Sequence, residues 1–517
     1  MLRSHCRTQS AISISDITQY DEKTGWIMEE GYQSLRQSTS RQRFLVYMLL
    51  LAEAIMSASL SAQIPLLVTA TSSSCSDYSS AYLRSLLECA YFFGSTFSIF
   101  WGYAVDRAGR RIVSLLGLTG TLACCLFMGF ATTLPGWVAL RFLAGCMGSA
   151  VFTSALAMPA DLSMPSAKAL RTLSRLPLIS VCGGIGPLLQ SIVRQLGEYA
   201  PAGIWSQWPA LNGQIACASL ILVIFLLEVI CLRETLDPQA AVNSNGEEAT
   251  LLGHKSEDNE ALLMVSAVDI DEQSSIISMD DFLQAPSFVT LLASFSILSL
   301  HSSTFEVLLP HLADSPSNVG GMDLPCGLLN TIITIVKAVA AVGVFYALPK
   351  FSAQLDILSV YRKISIAFPC IYTLIPFFAM LATISGAPPT SWGVFSTFAV
   401  LAKELFAEIA HVLAILLAFS ASPNATSAGT SIGLLGLSNL FKALAVGVSG
   451  LSYFLSDAYS VVAINATLWA LLAVLAFVGT SINLKLREAP LVGQDIPAEL
   501  LRWSSVFDAE SDSEAEV

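Results

Sequence analysis

Charge is scarce in this chain. Only 13% of its 517 residues are Asp, Glu, Lys or Arg, about half the roughly 25% usual for a soluble domain. Basic residues are the rarer sign, 26 against 39 acids, for a net charge of −13. That balance offers no basic face for nucleic acid. Histidines number 5. The 11 cysteines include no CxxC pair, so neither a zinc site nor a dense disulfide framework is expected. Most lie in apolar stretches, where a free cysteine acts as a small apolar side chain. A bridge between Cys75 and Cys326, both expected outside, would tie together two halves that should move. No GxxxxGK(S/T) loop is present, so ATP is not expected to be the direct energy source. No nucleophile triad or metal motif argues for an enzyme or a cofactor. An apolar leader is also missing from the first forty residues, which are polar and of mixed charge and read as a disordered cytoplasmic tail.

Apolar residues are abundant, 54% of the chain, with mean hydropathy +0.65. They fall into runs of about 20 residues, the length that crosses a bilayer core as a helix. The runs are 44–69, 82–104, 112–133, 137–158, 175–196, 212–232, 287–309, 326–349, 364–385, 391–419, 427–454 and 461–484. Twelve spans divide six and six around a polar segment, 234–285, that holds twelve acids and the single base Lys255. The expected layout is an all-α integral membrane protein of two pseudo-symmetric six-helix bundles. Its divisions are a tail 1–43, a bundle 44–233, an acidic linker 234–285, a bundle 286–484 and an acidic, disordered tail 485–517. Basic residues fix the orientation. With both termini inside, the outer loops keep only Arg84 and Arg194, whereas Arg107, Arg110, Arg111, Lys168, Arg171, Arg175, Arg233, Lys350, Arg362 and Lys363 lie inside.

The most specific motif is Gly102-Tyr-Ala-Val-Asp106-Arg107-Ala-Gly109-Arg110-Arg111, between the second and third spans. Gly102 permits close helix approach. Asp106 suits the positive end of a neighbouring helix. The arginines suit inner-leaflet headgroups. This GxxxDRxGRR run resembles the signature of the major facilitator superfamily. Arg141-Phe-Leu-Ala-Gly145 is similar to the family's fourth-helix RxxxG pattern. Gly183-Gly184-Ile-Gly186-Pro187 resembles the fifth-helix GP element of drug:proton antiporters, with Cys182 and Leu188-Leu189-Gln190 departing from it. Leu232-Arg233-Glu234-Thr235-Leu236, the stretch 300–310 and the region of Ser422-Pro423-Asn424 resemble the fungal branch near multidrug and zinc-induced-facilitator-like members. The resemblance covers 44–484. It implies alternating access, a coupling role for the fourth-helix Arg141, and Asp106 with its arginines locking one conformation.

Charged side chains inside spans are costly and face the interior. Glu53 lies mid-helix in the first span and is the expected proton-exchange residue of the first half. Gln63 follows on the same helix. Glu88 reads as structural. Glu404, Glu408 and His411 share one face of the tenth span at spacings of four and three, forming a proton relay or a cation-binding strip. Lys403 points about 100° away from that face. Lys337 and Lys442 are the expected counter-charges. His301 lies deep in the seventh span and Glu306 near its outer end, as pathway residues. Nothing in the sequence makes His301, His411 and Glu408 converge as metal ligands. Two acidic dileucine runs, 247–252 and 258–263, resemble sorting signals.

The leading expectation is a monomeric, proton-coupled exporter of small amphipathic compounds, in the plasma or vacuolar membrane. Transport of a metal chelate or nutrient, and a sensor that binds solute without moving it, remain open as alternatives.

Overall fold

The computed structural model describes residues 40–68, 80–162, 166–198, 211–235, 286–314, 326–351, 357–385, 389–420, 427–456 and 461–486. The two tails, residues 236–285, Cys75 and both dileucine runs lie outside them. Every regular element among the described residues is helical. The first, α1, is Ser40–Val68. Then come α2 (two segments, Ser80–Ser95 and Ser98–Ala108), α3 (Arg110–Met128), α4 (Leu134–Leu162), α5 (Ser166–Leu173, Leu176–Cys182 and Ile185–Glu198) and α6 (Leu211–Cys231). The second half holds α7 (Pro286–Asp314), α8 (Cys326–Phe351), α9 (Ile357–Ser385), α10 (Pro389–Ser420), α11 (Ala428–Leu435 and Ser438–Ser456) and α12 (Val461–Asn483). Each expected span falls on one of these helices.

The helices form two six-helix bundles with largely separate apolar cores. One core centres on Leu49, Leu118, Ala155 and Ile221, the other on Phe305, Tyr372, Leu413 and Leu472. The second core reaches across to Trp101, Val105 and Leu173 of the first bundle. Large apolar side chains also cover the outside, with Ile230 80%, Leu188 66% and Phe398 65% exposed. Water would penalise such a surface, whereas lipid accepts it. Among the described residues, nine helices are long and apolar enough to cross a membrane. The charges of α10 lower its hydropathy, but Lys403 and Glu404 turn inward and are buried.

Because lipid is as apolar as leucine, helix association here depends on close packing. The tightest crossing joins α2 and α4. A Cβ on Gly94 would strike the carbonyl oxygen of Phe142, and one on Gly145 would strike that of Tyr91. Both obstacles are backbone and cannot move aside. Gly145→Ala is therefore expected to destabilise the first bundle by about 2–3 kcal/mol, read as a lowered thermal transition in detergent. An unchanged transition would show that this crossing is not close-packed.

Several features differ from the hydropathy reading, and α5 is one, beginning at Ser166 rather than 175 and running in three segments. Helix α9 begins at Ile357 rather than 364. Its first turns carry Arg362 and Lys363, which end an apolar run without ending a helix. Tyr361 there is buried and hydrogen-bonds Ser294 of α7 at 2.9 Å, and Arg362 donates to the carbonyl of Leu486. Helices α2 and α11 are also broken mid-course, at Thr96–Phe97 and Gly436–Leu437, by local i→i+3 bonds such as Phe97 N–H to Gly94 O at 3.1 Å and Gly436 N–H to Gly433 O at 3.1 Å. The breaks adjoin, since a Cβ on Gly436 would meet Ser98.

Candidate functional site

The bundles touch mainly through α2 against α11 and α5 against α8. At the end where the arginines gather, hereafter the basic end, the contact is backbone on backbone. A Cβ on Gly102 would come within 2.5 Å of Gly429 O and 2.9 Å of Gly433 Cα. Ser98 Oγ donates to Gly433 O at 3.1 Å. With the helices this close, Asp106 reaches the first turn of α11. Its carboxylate accepts from the Gly429 N–H at 3.0 Å, the Thr430 N–H at 2.6 Å and the Thr430 hydroxyl at 2.6 Å. The two backbone N–H groups are unsatisfied at any helix start and carry the positive end of its dipole. Arg110, fully buried, ion-pairs with Asp106 at 2.9 Å and donates to Val105 O at 2.8 Å. Arg107 instead lies over the ring of Tyr103, 4.1 Å from its centroid. Arg111 donates to Val229 O at 2.9 Å.

A second carboxylate clamps the same loop. Glu234 accepts from the Arg110 N–H at 2.8 Å and the Arg111 N–H at 3.0 Å, so it caps α3. Gly109 makes room for it. Its φ of 102° is a conformation that side-chain-bearing residues avoid, and a Cβ there would meet Glu234 Oε2 at 2.6 Å. The LxETL run thus has a physical task that its sequence alone did not disclose.

Deeper in, charges of both bundles face a shared interior. Glu53 of α1 accepts from the Tyr91 hydroxyl at 3.0 Å. The fifth-helix glycines set its surroundings. Gly183 and Gly186 press α5 against the backbone of Ala54 and Ile55, where added Cβ atoms would come within 2.7 and 2.8 Å. Pro187 follows at the next position and is half-buried. Gln63, further along α1, is buried. Arg141 of α4 is fully buried and pairs with Glu88 at 2.6 Å. It also donates to Ser61 at 3.3 Å and Leu87 O at 3.4 Å, and its guanidinium lies 5.0 Å from the Tyr91 ring centroid. Arg141 therefore approaches Glu53 through Tyr91, which lies between them.

In the second bundle the structure gathers Glu306, Lys337, Lys403, Glu404, Glu408 and His411. Lys403 is a correction. Its Cα lies off the Glu404 face, as the helix angle requires, but the long side chain turns in. Its ammonium lies 3.0 Å from Glu404 Oε1 and 3.6 Å from Glu306 Oε1, and 4.9 Å from the Phe305 ring centroid. Facing lipid would have left this charge unsolvated. Glu306 belongs to this cluster as well, shared between Lys403 and Lys337, the latter at 3.7 Å. Its side chain is still 48% exposed, so the pair borders open space. His411 Nδ1 lies 2.6 Å from Ala407 O. His301 is held by Tyr372, Nδ1 to hydroxyl 2.8 Å, and packs on Phe368. Among the described residues, no three His, Cys, Asp or Glu side chains are grouped to hold a metal.

Lys442 of α11 joins the two halves. Its ammonium lies 6.0 Å from the ring of Phe92 on α2, within reach of the fields of Glu306 of its own bundle and Glu53 of the other. The hydroxyl and ring partners, Tyr91, Phe92 and Thr430, were not singled out by sequence reasoning, because nothing in their local pattern separates them from packing residues.

The family model described as the Major Facilitator Superfamily matches residues 49–477. The chain is 20% identical over 453 residues to the major facilitator superfamily multidrug transporter mfsB of Aspergillus fumigatus, covering 75% of this chain and 74% of that one. It is 30% identical over 139 residues to the efflux pump azaK of Aspergillus niger, 27% and 28% of the two chains. Its fold is similar to that of the proton:xylose symporter XylE, with TM-score 0.60 and 12% identity, covering 87% and 97% of the chains. A bilayer-spanning pair of helix bundles that meet at an arginine-rich latch, matched to the family model over most of its length, places this chain in the major facilitator superfamily as an integral, multi-pass membrane transporter.

Proposed function

We propose that the protein is a proton-coupled secondary transporter that exports small amphipathic organic compounds by alternating access. The observation that carries this reading is that both bundles hold carboxylates inside the membrane, Glu53 with Tyr91 in the first and Glu306 with Lys337 and Lys403 in the second, while Lys442 of the second reaches to 6.0 Å from the ring of Phe92 in the first. Titration of Glu53 or Glu408 changes the attraction across the interface, and with it the preferred arrangement of the bundles. The Asp106 latch holds the basic end shut in one arrangement. The names of mfsB and azaK support export of varied compounds. The positive-inside pattern supports a cytoplasmic basic end and cytoplasmic termini, in the plasma or vacuolar membrane. The reading needs one copy of the chain.

The test uses purified protein in liposomes with a trapped pH dye and a panel of amphipathic compounds. Wild type is expected to move protons when a transported compound is added. Glu53→Gln and Glu408→Gln are each expected to cut that flux by about ten-fold or more, since neither amide exchanges protons near neutral pH. Unchanged flux and pH dependence in both variants would overturn the coupling assignment. No flux with any compound would overturn transport.

A further inference from the structure

Tyr91 of α2 stands between two interior charges of the first bundle. Its hydroxyl donates to Glu53 Oε1 at 3.0 Å, and the Arg141 guanidinium lies over its ring, 5.0 Å from the centroid. The residue is fixed from several sides. Ser95 Oγ donates to the Tyr91 carbonyl at 3.0 Å, the same oxygen that a Cβ on Gly145 would strike. The Phe92 ring packs edge-on against it at 5.7 Å. Glu53 is held as firmly, because Gly183 and Gly186 seat α5 on the neighbouring Ala54 and Ile55. Helix α4 faces the pair with Gly148, where a Cβ would stand 3.6 Å from both Glu53 Oε1 and the Tyr91 hydroxyl. Tyr91 is buried and Glu53 half-buried, so water reaches the carboxylate more readily than the phenol.

We propose that Tyr91 is a positioning residue for proton exchange at Glu53, its hydroxyl fixing where the carboxylate sits and how tightly it holds a proton. A phenol both donates and accepts. Facing the ionised carboxylate it donates, as in this structure. Facing the protonated acid it turns its O–H aside and accepts, so the hydrogen bond survives both states. The proton comes from water to Glu53 and returns to water, and the phenol keeps its own throughout. Arg141 acts through the ring: a cation over its face strengthens the hydroxyl as a donor. The other charged groups around Glu53 are Glu88 of α2, paired with Arg141, and Lys442 of α11, whose field reaches it. Helix α5 presents only glycines where it presses on α1 beside Glu53. This inference rests on the reading of Glu53 as the proton-exchange residue of the first half, and adds the group that adjusts it.

Infrared difference spectra of the full chain in lipid nanodiscs, recorded against pH, follow the protonated carboxyl of Glu53, identified by its loss in Glu53→Gln. Tyr91→Phe removes the donor to the ionised form. The Glu53 midpoint is therefore expected to rise by about one pH unit, a roughly ten-fold gain in proton affinity. Placing 3-fluorotyrosine at position 91, a stronger donor of nearly the same shape, should move the midpoint the opposite way. In liposomes the pH midpoint of compound-driven proton flux should shift with the band, while half-saturation by the compound stays within about two-fold. Tyr91→Phe should add nothing to Glu53→Gln. A band midpoint unmoved by either replacement, or a lowered thermal transition with no change in pH profile, would overturn the proposal. Where Tyr91→Phe does not fold, the fluorotyrosine chain alone decides. A shifted band without flux in any chain would keep Tyr91 in this role and remove the transport reading. Flux whose pH profile ignores both replacements would do the reverse.

Discussion

Asp106→Ala is expected to open the basic end of the molecule. Three hydrogen bonds from the first turn of α11 end on this one carboxylate, and Arg110 neutralises it from behind. Hydrogen bonds to a charged group contribute about 1.5–3 kcal/mol each, and their losses do not simply add. A net shift of about 3 kcal/mol is a conservative expectation. It moves the balance between closed and open basic ends by roughly a hundred-fold. Arg110 would then be a buried cation without its carboxylate, which adds to the cost of the closed arrangement. The check is alkylation of Ser431→Cys in a chain otherwise free of cysteine. Ser431 is fully buried in the first turn of α11. Its substitute should be unreactive with Asp106 in place and reactive in Asp106→Ala. Equal protection in both chains would mean that glycine packing alone closes this end. Asp106→Asn is expected to fall between the two, since its single amide oxygen can keep the bonds on only one side of the group, without the charge.

Arg141→Ala should be the most destabilising single change in the first bundle. The guanidinium is fully buried and holds α2 and α1 to α4 through Glu88, Leu87 O and Ser61. Removing it leaves Glu88 without its partner inside the membrane. Breaking a buried pair in this way costs about 3–5 kcal/mol. Arg141→Lys should recover little, because an ammonium cannot present the same fork of donors to three acceptors. The double variant Arg141→Ala, Glu88→Ala should be more stable than Arg141→Ala alone, since no unpaired charge remains. Thermal unfolding in detergent reads all of these. A double variant no better than the single would mean that lost packing, rather than the orphaned carboxylate, sets the cost. Large loss of coupling in an Arg141→Lys protein of near-normal stability would instead assign Arg141 to the proton path by way of Tyr91.

The bundles were legible in the sequence because lipid imposes one rule on every span: apolar side chains for the length of the bilayer core. The latch motif was legible because its glycines and charges are contiguous. What the motif could not disclose was its partner. Asp106 and Thr430 are 324 residues apart, and a helix N-terminus leaves no mark of its own in sequence. Glu234 was visible as part of a run but not as the cap of α3, for the same reason. The tenth helix shows the other limit. Helical geometry places Glu404, Glu408 and His411 on one face, but it speaks only of where side chains start. Lys403 starts off that face and ends on it, because four methylenes span the difference. Glu306 was placed at a helix end by counting residues, whereas its place in the cluster comes from Lys337 and Lys403 on two other helices. The breaks in α2 and α11 escape hydropathy altogether, since a broken apolar helix has the same composition as a straight one.

Rocking of two bundles about a shared charged interior makes a reciprocal prediction. One pair of spin labels at Ala108 and Lys350 reports the basic end, and another at Leu196 and Leu328 reports the opposite end. Distances in nanodiscs should change with pH in opposite senses, one pair separating as the other approaches, and Glu53→Gln with Glu408→Gln should hold both pairs at one arrangement across the range. Distances at both ends that stay constant with pH, or that lengthen together, would contradict proton-coupled alternating access in this protein.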